Sequence, residues 1–161
     1  MDLLTASEKG ETETAMMLIE KGADIHEKNN DGDTPLHFAS DNGHTETAMM
    51  LMEKGANIHE KDNDGNTPFH IASDNGHTET AMMLMEKGAN IHEKDNDGNT
   101  SFHIAAQNGH TETASMLMEK GANIHEKDKK KLSILILTTP FANRSSTITF
   151  SFMITTTKCM H

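Results

Sequence analysis

The chain has 161 residues, of which 34% are hydrophobic, with 13 Met and neither Trp nor Tyr. That length leaves room for one ordinary domain or one short repeat array, and the scarce apolar material implies a core that is thin or shared along a stack and filled by adaptable thioethers. A net charge of −11 repels phosphate backbones and anionic lipids, which argues against nucleic acid and membranes as partners. The single cysteine, Cys159, excludes an intramolecular disulfide framework and a cysteine-based zinc site. Met1-Asp2-Leu3-Leu4-Thr5 lacks the basic-then-apolar order of a signal peptide, and no run of about 20 residues is predominantly apolar. The expectation from these features is a cytoplasmic protein.

Taken in chain order, residues 2–28 read DLLTASEKGETETAMMLIEKGADIHEK and introduce a pattern that returns three times. Residues 33–65 and 66–98 are nearly identical, differing at Asp33/Asn66, Leu36/Phe69 and Phe38/Ile71. A further copy occupies residues 99–128, and the period is 33 residues. Within a copy, Thr34-Pro35 opens a short helix, Thr as a cap for free N–H groups and Pro as a residue pre-set for the first helical position. Leu36 and Ala39 share one face of it, and Asn42-Gly43 ends it in a left-handed turn. A second helix follows, with Glu46 near its positive end, Lys54 near its negative end, and Ala48, Leu51 and Met52 as its apolar stripe. Gly55 stops that helix, and Asp62-Asn63-Asp64-Gly65 forms a polar turn. One such helix pair cannot bury its stripe alone, so neighbouring copies must stack.

Thr34-Pro35-Leu36-His37 followed by Ala39, Gly43-His44 and Gly55-Ala56 resembles the ankyrin repeat, whose hallmark is T-P-L-H-x-A in a unit of this length. Residues 67–72 match it closely, and residues 100–105 match it with Ser101 in place of Pro. The resemblance covers residues 2–128 and implies an all-α solenoid of stacked helix–turn–helix units with protruding turns. It also implies that His37, His70 and His103 tether the turns by hydrogen bonds. The first copy lacks Thr-Pro, as an N-terminal capping unit of such an array often does, with Asp2, Glu8, Lys9, Glu11 and Glu13 as its polar outer face.

The sequence also departs from the family pattern. Thr45, Thr47 and Ala48 stand where branched aliphatics usually begin the second helix, and their repetition predicts lost burial and marginal stability. Met49 and Met82 occupy positions that are usually polar and outward. After residue 128 the pattern stops at Lys129-Lys130-Lys131, and no polar C-terminal cap is recognisable. The tail is Ser/Thr-rich and β-branched. Leu132–Leu137 and Thr147–Thr157 are strand candidates, with Asn143-Arg144-Ser145 as a conceivable connection. A reading-frame shift in an A-rich codon run would also produce so abrupt a join. On that alternative the chain is a truncated or frameshifted fragment of an array without a dedicated binding role.

Chemistry-bearing residues follow the period and so read as scaffold. Ten of the 11 histidines recur in sets: His37, His70 and His103; His44, His77 and His110; His26, His59, His92 and His125. Equivalent positions in stacked units lie roughly 8–10 Å apart, too far for ligands that must each reach within about 2.0–2.6 Å of one ion. Asp62-Asn63-Asp64-Gly65-Asn66 evokes a calcium loop, but the twelfth loop position is Ser73 rather than Glu. No nucleophile elbow, phosphate loop or dinucleotide fingerprint is present, so neither catalysis, a metal nor a cofactor is expected.

What remains is a binding surface. By family resemblance it would be the concave face built from the turns and first helices. At the first junction between units that face is Asn30, Asp31, Asp33, Asp41 and Asn42; at the next, Asn63, Asp64, Asn66, Asp74 and Asn75; at the last, Asn96, Asp97, Asn99, Gln107 and Asn108. The expected partner of this acidic, amide-rich groove is another protein with a basic surface, bound by a monomer, with affinity that falls as salt rises.

Overall fold

The computed structural model describes residues 1–123, 134–137 and 151–154. Four helix pairs make up the array: α1 (Leu3–Glu8) with α2 (Thr12–Glu20), α3 (Pro35–Asp41) with α4 (Thr45–Glu53), α5 (Pro68–Asp74) with α6 (Thr78–Glu86), and α7 (Ser101–Gln107) with α8 (Thr111–Glu119). First helices pack on first helices and second helices on second helices, so the solenoid has two helical layers. Outside the array, β1 (Ile134–Leu137) pairs antiparallel with β2 (Ser151–Ile154), Ile134 facing Ile154. His125, Lys129-Lys130-Lys131, Asn143-Arg144-Ser145 and Cys159 lie outside the described residues.

Each first helix starts as its sequence dictates. Thr34, Thr67 and Thr100 take extended N-cap backbones, and Pro35 and Pro68 fill the next position, where a missing N–H costs nothing. Ser101, which replaces the proline, is buried with its hydroxyl unpartnered. At the other end Gly43 adopts φ 68, and a Cβ built there would lie 2.6 Å from Nδ1 of His77. Only glycine satisfies both the turn and the ring packed on it.

The core runs along the first-helix layer as Leu3, Leu36, Phe69 and Phe102, all essentially inaccessible, each followed three residues on by a buried alanine (Ala6, Ala39, Ala72 and Ala105) that admits the next helix closely. In the second-helix layer the buried face is wider than the predicted stripe. Thr47, Ala48, Met50 and Leu51 are buried, while Met52 is half-buried. The helix is clasped between its own first helix and two neighbouring second helices, so it needs more than one apolar edge. Met49 and Met82 are likewise half-buried and packed against the core rather than turned outward.

The threonines correct a second expectation. Thr47, Thr80 and Thr113 are each about 1% exposed, but their hydroxyls are not lost burial. Each pairs with the leading threonine of the preceding second helix: Thr12 with Thr47 at 2.7 Å, Thr45 with Thr80 at 2.8 Å, and Thr78 with Thr113 at 2.8 Å. A hydroxyl pair satisfies both groups where a branched aliphatic would have filled the space, and a satisfied pair is close to neutral in stability.

Candidate functional site: the acidic groove

The turns between helix pairs are organised by Asn29, Asp62 and Asp95. Asn29 Oδ1 accepts the N–H groups of Asp31 and Asp33, at 2.9 and 2.8 Å. Asp62 Oδ1 does the same for Asp64 and Asn66, at 2.9 and 2.7 Å, and Asp95 Oδ1 takes the N–H of Asn99 at 2.7 Å. Short polar side chains of this kind hold a turn by mimicking its backbone. Adjacent turns are then stitched together. Asn63 donates its N–H to Asp31 O at 2.9 Å and its Nδ2 to Asn30 O at 2.9 Å; Asn96 repeats this with Asp64 O at 3.0 Å and Asn63 O at 3.1 Å. Lys28 and Lys61 add ion pairs to Glu60 at 2.6 Å and Glu93 at 2.7 Å, which hold both carboxyls below their ordinary value.

Beneath the turns, the His37 ring joins three pieces of backbone. Its Nδ1 accepts the Thr34 N–H at 3.1 Å and sits 2.8 Å from Thr34 Oγ1, while Nε2 lies 3.1 Å from the Asn66 carbonyl in the next unit. An accepting Nδ1 leaves the proton on Nε2, so the neutral ring donates across the repeat boundary. His70 makes the same cap with Thr67 and reaches Glu93 O at 3.1 Å. Burial is the largest influence on both rings and lowers their pKa, overcoming the acceptor carbonyl and nearby aspartates. The turn-tethering expected from family resemblance is thus seen in the geometry for His37 and His70, and His103 makes the same helix cap, with Thr100 Oγ1 2.8 Å from its Nδ1. The second histidine set clasps backward: His44 Nε2 to Glu8 O at 3.0 Å, His77 to Asp41 O at 2.9 Å, His110 to Asp74 O at 2.7 Å. His26, His59 and His92 are exposed. Among the described residues no group of three or more His, Cys, Asp or Glu converges on a point where a metal could sit.

Two equivalent depressions form between successive units. The first, about 390 Å³, gathers Asp31, Asp33, Asp41, Asn63, Asp64 and Asn66 of the expected surface, together with His37, Phe38, Asp62 and Ile71. The second, about 240 Å³, gathers Asn66, Asp74, Asp97, Asn99, Gln107 and Asn108 with His70, Ile71, Asp95 and Ile104. Neither is lined by Lys or Arg. Asn30, Asn42, Asn75 and Asn96 lie outside both linings. Asn99 is 8% exposed, and like Asn66 it gives its amide to the turn, Nδ2 to Asp95 at 3.0 Å and to Asp62 at 3.1 Å respectively.

The apolar floor of Phe38, Ile71 and Ile104 was missed in the sequence. These residues fall two after Leu36, Phe69 and Phe102, off the helical stripe, so periodicity gives them no role. A signal existed, since Phe38/Ile71 is one of three differences between otherwise identical units. Phe38, Ile71 and Ile104 thus lie half-buried beneath the carboxylates of the two depressions.

Stacked helix pairs joined by hydrogen-bonded turns define a repeat solenoid. A family model described as ankyrin repeats, in three copies, matches residues 3–62 and 55–128, and the chain belongs to the ankyrin-repeat family. Among curated proteins none matches it. Ankyrin repeats generally mediate protein–protein interaction, and the family is typically non-enzymatic. Among the described residues no helix is long and apolar enough to cross a membrane.

Proposed function

We propose that this array is a protein-interaction module, a cytoplasmic monomer that takes a Lys/Arg-bearing partner into its acidic groove. The observation that carries the reading is the first depression, where five aspartates surround Phe38 and Ile71 with no cation in the lining. The rim amides of Asn63, Asn66 and Asn99 are engaged in holding the turns, so carboxylate oxygens dominate what the groove offers a ligand. A donor-rich cation such as guanidinium suits them, and the groove rejects acidic surfaces by like-charge repulsion. Near-identical units present near-identical sites, so a partner with several basic side chains gains by avidity more than by a unique contact.

The test is titration of a fluorescent Arg/Lys-rich peptide into the full chain at low and high salt, with Asp31→Asn/Asp64→Asn as the variant. Binding should weaken with salt, and the double variant should lose about three- to tenfold in affinity, since each rim charge contributes little alone. Binding that ignores salt, or an acidic peptide that binds as well, would sink the proposal. Failure of every basic peptide would favour the fragment reading instead.

A further inference from the structure

Three Asn-Gly steps recur at one position of the fold: Asn42-Gly43, Asn75-Gly76 and Asn108-Gly109. Each closes a first helix and is followed by His-Thr. All three asparagines are exposed. Asn-Gly is chemically the most reactive asparagine step, because glycine has no Cβ to hinder approach of its backbone nitrogen to the asparagine carboxamide carbon. In each cap the asparagine sits near helical backbone (ψ 5, 0 and 0) with the glycine N–H on a carbonyl of the same helix. That backbone must open before the two atoms can meet, so whatever restrains the carboxamide sets the rate.

The restraints differ. Asn75 Nδ2 donates to Asp41 Oδ1 at 2.9 Å and to Ile71 O at 3.2 Å. Asn108 Nδ2 donates to Asp74 Oδ1 at 2.6 Å and to Asp74 O at 3.1 Å. Glu8 stands in the corresponding place for Asn42, and its longer side chain makes no such clamp. Among the described residues the Asn42 amide has only the Phe38 carbonyl, at 3.0 Å.

We propose that Asn42 is a site of spontaneous deamidation, set apart from Asn75 and Asn108 by the missing carboxylate clamp. The Gly43 backbone nitrogen loses its proton to solvent and bonds to Asn42 Cγ. The Cγ–Nδ2 bond then breaks, and ammonia leaves carrying a proton from water. Water next opens the resulting succinimide at one carbonyl or the other, giving aspartate or isoaspartate. No oxidant or reductant takes part. The product adds a negative charge beside Asp41. The same change at Asn75 would set a carboxylate against that of Asp41 and sever an inter-unit bond.

The three steps share the same following residues, so they act as internal controls. The full chain, aged in mildly alkaline buffer and read by site-resolved mass spectrometry, should convert Asn42 about two- to fivefold faster than Asn75, the factor expected from one exposed charge-assisted bond. In denaturant the two rates should converge. Asp41→Ala should bring Asn75 up toward Asn42 in the folded chain. The proposal is overturned if Asn42 stays intact, if Asn75 keeps pace with it in the folded chain, if the gap persists in denaturant, or if Asp41→Ala leaves Asn75 slow.

Discussion

In the first-helix layer, large rigid side chains (Leu36, Phe69, Phe102) are fully buried beside histidines that bond distant backbone, His37 to Asn66 in the next unit and His70 to Glu93 in the following turn. In the second-helix layer the contact is made by Ala, Leu and Met, with threonine hydroxyls paired between neighbours. Both layers stack the same four units, but the first fixes direction through shape and oriented hydrogen bonds, while the second relies more on small alanines and adaptable methionines. The groove opens from the first layer. Its floor and rim therefore rest on the stiffer half of the molecule, which favours a preformed surface over one that must be ordered on binding.

The comparison breaks most easily by cavity creation. Phe69→Ala should cost about 3–5 kcal/mol, and Met83→Ala, at a position 8% exposed, nearer about 2 kcal/mol, both measured by urea unfolding. Equal losses would erase the distinction between the layers.

Acid should act next, and on the first layer. The buried His37 and His70 have folded pKa values below their ordinary 6.5, so the folded state binds fewer protons than the unfolded one just below that pH. Their stabilisation is complete above pH 6.5 and is lost as pH falls from there through the lowered values. The ion-paired Glu60 and Glu93 keep their stabilisation down to 4.5 and lose it only as pH falls below that. Thermal melts between about pH 7.5 and about pH 5 should show the midpoint falling before any carboxylate titrates. A flat midpoint over that span would mean the neutral imidazoles do not hold the layer.

The smallest effect belongs to the second layer. Thr80→Val keeps the shape at a buried position and leaves the Thr45 hydroxyl at a half-exposed edge where water reaches it. Stability should stay within about 1 kcal/mol of the parent. A larger loss would show that the threonine pairs steer the stack rather than merely fill it.

Much of this was legible in the residues. Thr34-Pro35 marked a helix start and Asn42-Gly43 its end, because capping and positive φ are local demands that a few residues meet by themselves. The carboxylates of the groove were also legible, since turn residues repeat visibly. The turn-organising roles of Asn29, Asp62 and Asp95 were not, because an Asx turn is indistinguishable from a solvated loop until the backbone closes around the side chain. Nor was the engagement of Asn63 and Asn75, whose partners lie a whole unit away.

The sequence by itself determined the repeat, its family and the sign of the groove, since period, punctuation and charge are properties of the chain. The tertiary structure alone decided which polar groups remain for a ligand and which are consumed by the stack. Phe38 and Ile71 became a floor, Asn63 and Asn96 became struts between turns, and Thr47 became half of a hydroxyl pair only when units 33 residues apart came into contact. Local propensity cannot carry that information, because a hydrogen bond between units depends on the relative placement of two backbones and not on either one alone.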